Sequence, residues 1–195
     1  MKAVFFLVAL ALSGEGYERI GDKHGVVVYK RGGHAIDLAA EGDIDAPPDV
    51  VLRILTDYGS HPKWVRGLSE SHILDRQDGL HHEGALDVYQ RLHLPLLEDR
   101  DFTLHVQWAA AGPARVISFA TTDRGPPPPK GCIRVPLHEG RWELSPVDGG
   151  QRTHAVYRFR MELGGHLPMW MARGRAGKDV PELYDSIRKQ VQYYR

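Results

Sequence analysis

The amino-acid sequence predicts an α+β domain in which a curved antiparallel sheet packs around a long C-terminal helix. Three observations lead to this prediction. Short segments rich in β-branched and aromatic residues, separated by Gly, Pro or Asp turns, recur between residues 26 and 163. One short helical segment interrupts them near residue 50, and a longer one occupies the C-terminus. In such a layout the last helix buries its apolar face against the concave side of the sheet.

Composition limits the number of domains and the class of function. The 195 residues suit one domain with one core. Lys and Arg together number 25, as do Asp and Glu, so the formal net charge is zero. We therefore expect no nucleic-acid partner, because such a partner favours a basic face. The single cysteine, Cys132, excludes an internal disulfide.

The sequence contains no motif that binds a cofactor or a metal. Nucleotide-binding glycine loops and the Gly-x-Ser-x-Gly nucleophile motif are both missing from it. The densest cluster of possible metal ligands is His81-His82-Glu83, in a predicted turn where neighbouring side chains point apart. We predict neither a cofactor nor a metal. Cys132 is interpreted as a packed small apolar residue.

The N-terminal residues differ in character from the rest of the chain. Met1 and Lys2 precede an unbroken apolar run over residues 3–12, and small residues follow it. This pattern is typical of a secretory signal, so residues 1–14 predict export, to a periplasm or a similar compartment. The run is shorter than the ~20 residues that span a bilayer. The alternative is a buried first helix of the domain.

The first elements of the domain form a hairpin followed by a helix. Residues 26–29 and 36–44 are β-rich and are separated by Gly32-Gly33, which predicts two paired strands. Asp45 is expected near the N-cap of the helix, with Pro47 and Pro48 in its first turn. Gly59 and Pro62 are expected to end it. The apolar face of this helix consists of Val50, Val51, Ile54 and Leu55.

A series of strands occupies the middle of the chain. Residues 101–109 and 153–163 alternate apolar and polar side chains with period two, which predicts antiparallel strands with one buried face. The run Pro126–Pro129 is expected to be a rigid loop. The predicted strands are residues 71–76, 86–94, 101–109, 115–121, 131–136, 140–144 and 153–163.

The periodicity changes to three and four residues after residue 168, which predicts an amphipathic helix that continues to the C-terminus. Pro181 is expected to bend or interrupt it, because proline removes a helical hydrogen bond. The apolar positions of this helix are Met169, Ala172, Ala176, Val180, Leu183, Tyr184, Ile187 and Val191.

Seven short motifs, in the order in which they occur, carry a resemblance to a known family. They include Gly-Val-Val-Val-Tyr at 25–29, Arg-Asp-Phe at 100–102, Gly-x-x-Arg at 131–134 and Gly-x-Leu-Pro at 165–168. Together they resemble the START (StAR-related lipid transfer) domains of the helix-grip, Bet v 1-like superfamily. The resemblance covers residues 17–195. The full set of motifs lies at residues 21–29, 46–51, 62–65, 99–102, 130–134, 142–146 and 164–170.

The resemblance implies a helix-grip fold whose sheet and last helix enclose a cavity for a lipid or another hydrophobic small molecule. Residue types alone favour a filled core, so the cavity is implied only by the family. The residues expected to line it are Leu104, Val106, Trp108, Phe119, Tyr157, Phe159, Met161, Met169, Ala176 and Val180.

Three polar residues of one predicted strand offer a candidate anchor for a ligand head group. Asp87, Tyr89 and Arg91 share a face, and Arg91 suits a phosphate or a carboxylate. The alternative is a solvated outer face or a structural Asp–Arg pair. Some sterol-binding members carry an acid–arginine pair in the cavity, but the arginine position falls here at Val106, which argues against sterol-type binding.

The predicted function is therefore binding of an apolar molecule without covalent chemistry, with its transfer as a further expectation. We expect a monomer that contacts membranes only transiently. The alternative is a polyketide aromatase/cyclase using the same cavity, for which Asp87, Tyr89 and Arg91 are the candidate acid–base groups. A third interpretation is an interaction domain whose cavity is filled by side chains.

Overall fold

The structure is a computed structural model that describes residues 12–79, 83–165 and 169–195, with the backbone alone for residues 169–175. Within these ranges ten strands form one sheet, and a long helix follows at the C-terminus. The predicted α+β class, with a curved antiparallel sheet around the last helix, is confirmed.

The order of the strands in the sheet is β1-β2-β3-β10-β9-β7-β6-β5-β4. All of these neighbours pair antiparallel, while the three-residue strand β8 pairs parallel with β6. The strands are β1 Glu18–Lys23, β2 Val26–Lys30, β3 Ile36–Ile44, β4 Leu68–Asp78, β5 Gly84–Leu92, β6 Asp99–Ala111, β7 Ala114–Thr121, β8 Cys132–Arg134, β9 Leu137–Val147 and β10 Arg152–Glu162.

In the described ranges, two α-helices longer than one turn pack on this sheet. Helix α1 spans Pro48–Thr56 and is followed by a 3-10 helix, Tyr58–Lys63. Its N-cap is Pro47, which makes no side-chain hydrogen bond, and Pro48 is the first helical residue. Asp45 lies near the N-cap, as predicted, but does not cap the helix, and the fixed φ of proline favours its start. A second 3-10 turn, Asp148–Gly150, joins β9 to β10.

The C-terminal helix α2 spans Met169–Tyr194 and continues through Pro181 without interruption. The predicted break does not occur because residues on both sides of the proline are fixed by packing. Val180, Tyr184 and Ile187 are buried in the main core, and tertiary packing supplies most of the stability of a protein helix.

Tyr184 fixes the position of α2 against the sheet. Its side chain is fully buried, and its hydroxyl donates to the carbonyl oxygens of Ala40 (3.2 Å) and Ala155 (3.0 Å). Gly42 on β3 leaves the room for this approach, because a Cβ there would lie 3.4 Å from the Tyr184 ring and 3.1 Å from Val26. The helix is thus held by both packing and hydrogen bonds to two adjacent strands.

Strand β1 was not predicted from the sequence, for a physical reason. All six of its residues, Glu18–Lys23, are exposed, so it has no buried face and no apolar alternation to reveal it. It forms one edge of the sheet by pairing with β2.

Most of the predicted signal segment, residues 1–11, lies outside the described residues. The described part, residues 12–14, forms a helical turn, and Leu12 packs fully buried against Tyr17, Tyr29 and Ala39 on the outer face of the sheet. In the described part of the chain, no helix combines the length and apolar character needed to cross a bilayer.

Candidate functional site

A cavity of about 270 Å³ lies between the concave face of the sheet and α2. Strands β5, β6, β7, β9 and β10 contribute one wall, and α1, the 3-10 helix and α2 contribute the other. Its lining is largely apolar and aromatic. Such a composition, with a few polar groups, is typical of small-molecule sites.

Seven of the residues predicted to line a cavity do so. They come from the alternating faces of β6, β7 and β10 and from the middle of α2, as period-two and helical spacing require. These residues are Leu104, Phe119, Tyr157, Phe159, Met161, Ala176 and Val180.

Three other predicted lining residues are not placed there. Val106 and Trp108 are buried on the same face of β6, but they lie farther along the strand than the cavity extends. Trp108 packs against Gly84, whose missing side chain makes room for the indole, and it lies under the Arg76 guanidinium at 5.3 Å. The side chain of Met169 lies outside the described residues.

The structure corrects the predicted polar anchor, because the side chains of Asp87, Tyr89 and Arg91 do not face the cavity. Their neighbours on β5, Gln90 and Leu92, line it instead, so period two directs the three polar side chains to the outer face.

These residues lie on the outer face, but Asp87 and Tyr89 are buried there rather than solvated, and Asp87 and Arg91 pair with other residues. Asp87 pairs with His105 Nδ1 at 2.7 Å and with Arg124 Nη2 at 2.9 Å. Arg91 pairs with Glu70 and, at 3.7 Å, with Asp99. Val106, which occupies the position of the arginine in sterol-binding members, is uncharged and pairs with Leu86 on the inner face, so no acid–arginine pair lies in the cavity here.

His138 on β9 is the most unusual polar group of the cavity lining. Its ring meets Phe102 and Phe119 edge-on, with ring centroids 4.9 and 5.1 Å apart. Its buried Nδ1 has no hydrogen-bond partner. Burial lowers the pKa of His138 to about 3, so the imidazole is neutral at physiological pH.

His61 in the 3-10 helix is the second histidine of the cavity lining. Its ring lies between those of Tyr58 and Trp64, with centroids 4.6 and 4.7 Å away, and Nε2 contacts the Ile54 carbonyl at 3.4 Å. Burial lowers the pKa of His61 to about 4, outweighing the opposite influence of the Ile54 carbonyl and of Asp57. This ring is also neutral at physiological pH.

Three aromatic rings form a stack along one wall. Trp142 lies on Tyr157 with centroids 4.1 Å apart, and Tyr157 lies on Phe159 at 5.0 Å. Aromatic side chains supply large apolar contact area, so this wall suits an apolar ligand.

The charged lining residues mark the end of the cavity nearest solvent. Arg66, in the loop after the 3-10 helix, pairs at 2.6 Å with Glu182 on α2, and its side chain is 64% exposed. The Arg66 guanidinium holds the pKa of the Glu182 carboxyl below its usual value. Asp179 lies beside them. The pair therefore joins the two walls at the entrance.

The sequence analysis missed His138 because it took Gly140 as the start of a strand. In the structure β9 begins at Leu137, and Gly140 lies within it at a crowded crossing. A Cβ at Gly140 would lie 2.5 Å from both the Phe119 ring and the Arg158 carbonyl oxygen. The useful signal was the period-two series His138, Gly140, Trp142 and Leu144, in which glycine takes an inward position.

The described residues do not gather His, Cys, Asp or Glu side chains into a group that could hold a metal ion. His81 and His82 of the densest sequence cluster lie outside these residues. Cys132 is half-buried on β8, and burial raises the pKa of its thiol.

Comparison with known proteins agrees with this architecture. Residues 44–188 match the family described as polyketide cyclase/dehydrase and lipid transport. An uncharacterized protein of Pseudomonas aeruginosa is 30% identical over 176 residues, covering 87% of this chain and 83% of that protein.

Two solved structures show the same fold at low identity. A STAR-related lipid transfer protein from Xanthomonas axonopodis is 22% identical, with a TM-score of 0.80, over 91% of this chain and 99% of that one. An aromatase/cyclase from a Streptomyces species is 16% identical, with a TM-score of 0.56, over 82% and 94%. By its sequence match over most of its length, the chain belongs to the polyketide cyclase/dehydrase and lipid transport family.

Proposed function

We propose that the protein binds a lipid or another hydrophobic small molecule in the cavity beneath α2. The observation that carries this proposal is the cavity itself, about 270 Å³ of space lined mainly by apolar and aromatic side chains. Protein interiors are close-packed, with few voids larger than a water molecule. A void of this size therefore disfavours the filled-core interpretation and favours a ligand.

The alternative is a cyclase-type enzyme, as the aromatase/cyclase structure resembles this fold. General acid–base catalysis works best with a pKa near the operating pH. The inward histidines His61 and His138 have pKa values of about 4 and about 3, far below neutrality. The residues first considered for acid–base roles, Asp87, Tyr89 and Arg91, lie on the outer face. These features favour a carrier over a catalyst.

Filling the cavity should abolish binding. We expect Ala176→Trp to occupy the space that the ligand needs, because Ala176 lines the cavity from α2. Native mass spectrometry of protein purified from its own host, followed by denaturing extraction, should show a bound apolar mass for the wild type. The occupancy of the variant should fall at least about tenfold, equal to ~1.4 kcal/mol of binding free energy.

The matched control is Ala110→Trp, since Ala110 is exposed on β6 and away from the cavity. It should keep the occupancy of the wild type. Equal occupancy in both variants, or an extracted ligand whose mass shows chemical turnover during incubation, would contradict the proposal.

The Arg66–Glu182 pair should control how fast the ligand exchanges. Exposed ion pairs add only ~0–1 kcal/mol to stability, so Glu182→Gln should leave the melting temperature nearly unchanged. The two walls of the entrance would then separate more readily, and release of a fluorescent fatty acid, measured by stopped flow, should speed up several-fold. Asp22→Asn, which breaks the exposed Arg19–Asp22 pair on β1, is the control. Unchanged release from Glu182→Gln would refute a role of this pair at the entrance.

Export and a monomeric state complete the proposal. Both stay predictions: export rests on the pattern of residues 1–14, and the monomer is the expected state of a small carrier. Sequencing of the N-terminus and the elution volume of the purified protein test them directly.

A further inference from the structure

We propose that His138 is the hydrogen-bonding anchor for a neutral oxygen group, a hydroxyl or a carbonyl, on a compact one- or two-ring apolar ligand. This ligand class presupposes the proposed function, because it specifies what the cavity takes. Three independent features lead to it: an unpartnered imidazole, an aromatic wall of limited size, and the placement of charge at the entrance alone.

The imidazole is a buried polar group without a protein partner. Nδ1 is buried and unpartnered. Nε2 makes no hydrogen bond to any described residue either, and because the ring lines the cavity and Nδ1 is out of reach, Nε2 is the nitrogen that would contact a ligand oxygen. An unsatisfied buried polar group costs about 1–3 kcal/mol, so native proteins rarely keep one without a reason. Since the neutral ring carries one donor and one acceptor nitrogen, it can serve a hydroxyl or a carbonyl.

Two further polar atoms face the same space. The Tyr157 hydroxyl and the Trp142 indole nitrogen belong to cavity-lining side chains, and neither has a hydrogen-bond partner in the described part of the chain. Both rings belong to the stack that ends at Phe159, beside His138. The rings beside His138 therefore form a continuous aromatic wall.

The size and shape of the cavity limit the ligand. An engineered apolar cavity of about 150 Å³ accepts one benzene ring. The present cavity, about 270 Å³, suits a molecule of about one or two rings, and it lies just below the usual range of ~300–1,000 Å³ for ligand pockets. The Trp142–Tyr157–Phe159 stack gives the cavity a rigid aromatic wall.

Charge favours a neutral ligand group. Among the described lining residues, Arg66 is the one Lys or Arg, and it is already paired with Glu182 at the entrance. Asp179 and Glu182 add two carboxylates there. Burying an anion next to His138 would lack a compensating cation and would be costly.

The test compares three probes of similar shape by calorimetry with the full-length protein after removal of bound lipid. They are 2-naphthol, 2-methylnaphthalene and 2-naphthoate. The wild type should bind 2-naphthol roughly 5- to 10-fold more tightly than 2-methylnaphthalene, the gain expected from one buried hydrogen bond. It should bind 2-naphthoate most weakly.

Two conservative variants locate the anchor. His138→Phe keeps an aromatic ring between Phe102 and Phe119 but removes both nitrogens, so the ratio of the two neutral affinities should fall to about one. Tyr157→Phe removes only a hydroxyl from the same wall. It should retain most of the preference, and it provides a second measurement should the first variant fail to fold.

The outcomes separate this inference from the proposed function. Equal binding of 2-naphthol and 2-methylnaphthalene to the wild type would overturn the anchor and leave apolar binding intact. Tightest binding of 2-naphthoate would overturn the neutral ligand class. A preference that survives in His138→Phe would overturn the role of this residue, and no binding of any probe would refute the proposed function itself.

Discussion

Replacing Arg134 with methionine should lower the free energy of unfolding by about 3–5 kcal/mol, because it leaves a buried carboxylate without its partner. The carboxylate is that of Asp101, which is completely inaccessible to solvent. Arg134 Nε donates to Asp101 Oδ1 at 3.0 Å and Nη2 to Oδ2 at 2.8 Å, a bidentate pair. Nη2 also donates to the Pro126 carbonyl at 2.7 Å, which ties the proline-rich loop to this point.

Chemical denaturation gives the measurement, with the change in midpoint at constant slope reporting stability. The control is Arg141→Met, because Arg141 and Glu143 form an exposed pair at 3.2 Å and such pairs contribute at most ~1 kcal/mol. Adding Asp101→Asn to Arg134→Met removes the orphaned charge and should recover part of the loss. A loss under about 1 kcal/mol in Arg134→Met would show that this pair does not stabilise the fold.

The contact between these residues illustrates what the sequence could not predict. The motifs Arg-Asp-Phe at 100–102 and Gly-x-x-Arg at 131–134 were each recognised, but separately. They meet because β8 pairs parallel with β6, in register Asp99–Cys132 to Asp101–Arg134. Such long-range parallel pairing leaves no local periodicity. Arg100, which precedes Asp101, is buried and donates a 2.9 Å hydrogen bond to the Leu163 carbonyl, a second long-range contact at this point.

Period-two alternation predicted the cavity wall well where one face is clearly apolar. Leu104 on β6 and Tyr157, Phe159 and Met161 on β10 line the cavity, as their spacing requires. The alternation failed on β5, where chemistry suggested that Asp87 and its polar neighbours point inward. In the structure Leu86 and Val88 occupy the inner face, and the polar residues form ion pairs outside.

Acid should destabilise the protein mainly through His61 and His138. The folded-state pKa values of about 4 and about 3 lie below the ordinary value of 6.5. Below pH 6.5 the two histidines therefore become protonated in the unfolded chain while they stay neutral in the folded chain. The stabilising contribution is complete above pH 6.5 and is lost as the pH falls toward 4 and 3, by ~1.4 kcal/mol per pH unit for each residue.

The contribution of His154 to stability depends on pH in the opposite direction. Burial disfavours its charge, but hydrogen bonds to Glu41 and Asp43 outweigh burial and raise its pKa. Its contribution is complete below pH 6.5 and is lost as the pH rises through the folded value. It partly offsets the acid effect in the wild type, so a comparison of variants is needed to isolate the two neutral histidines.

Between pH 7 and pH 5, His61 and His138 should each lower the free energy of unfolding by about 2 kcal/mol. His138→Phe should therefore reduce the loss of unfolding free energy between pH 7 and pH 5 by about that amount, whatever its effect at pH 7. Urea denaturation at both pH values measures the difference. His72→Gln, with an exposed ring, should leave it unchanged. If His138→Phe lost as much unfolding free energy between pH 7 and pH 5 as the wild type, the ring of His138 would be in contact with water or a ligand group in the folded state. The imidazole would then not be the dry, unpartnered anchor that the cavity geometry indicates.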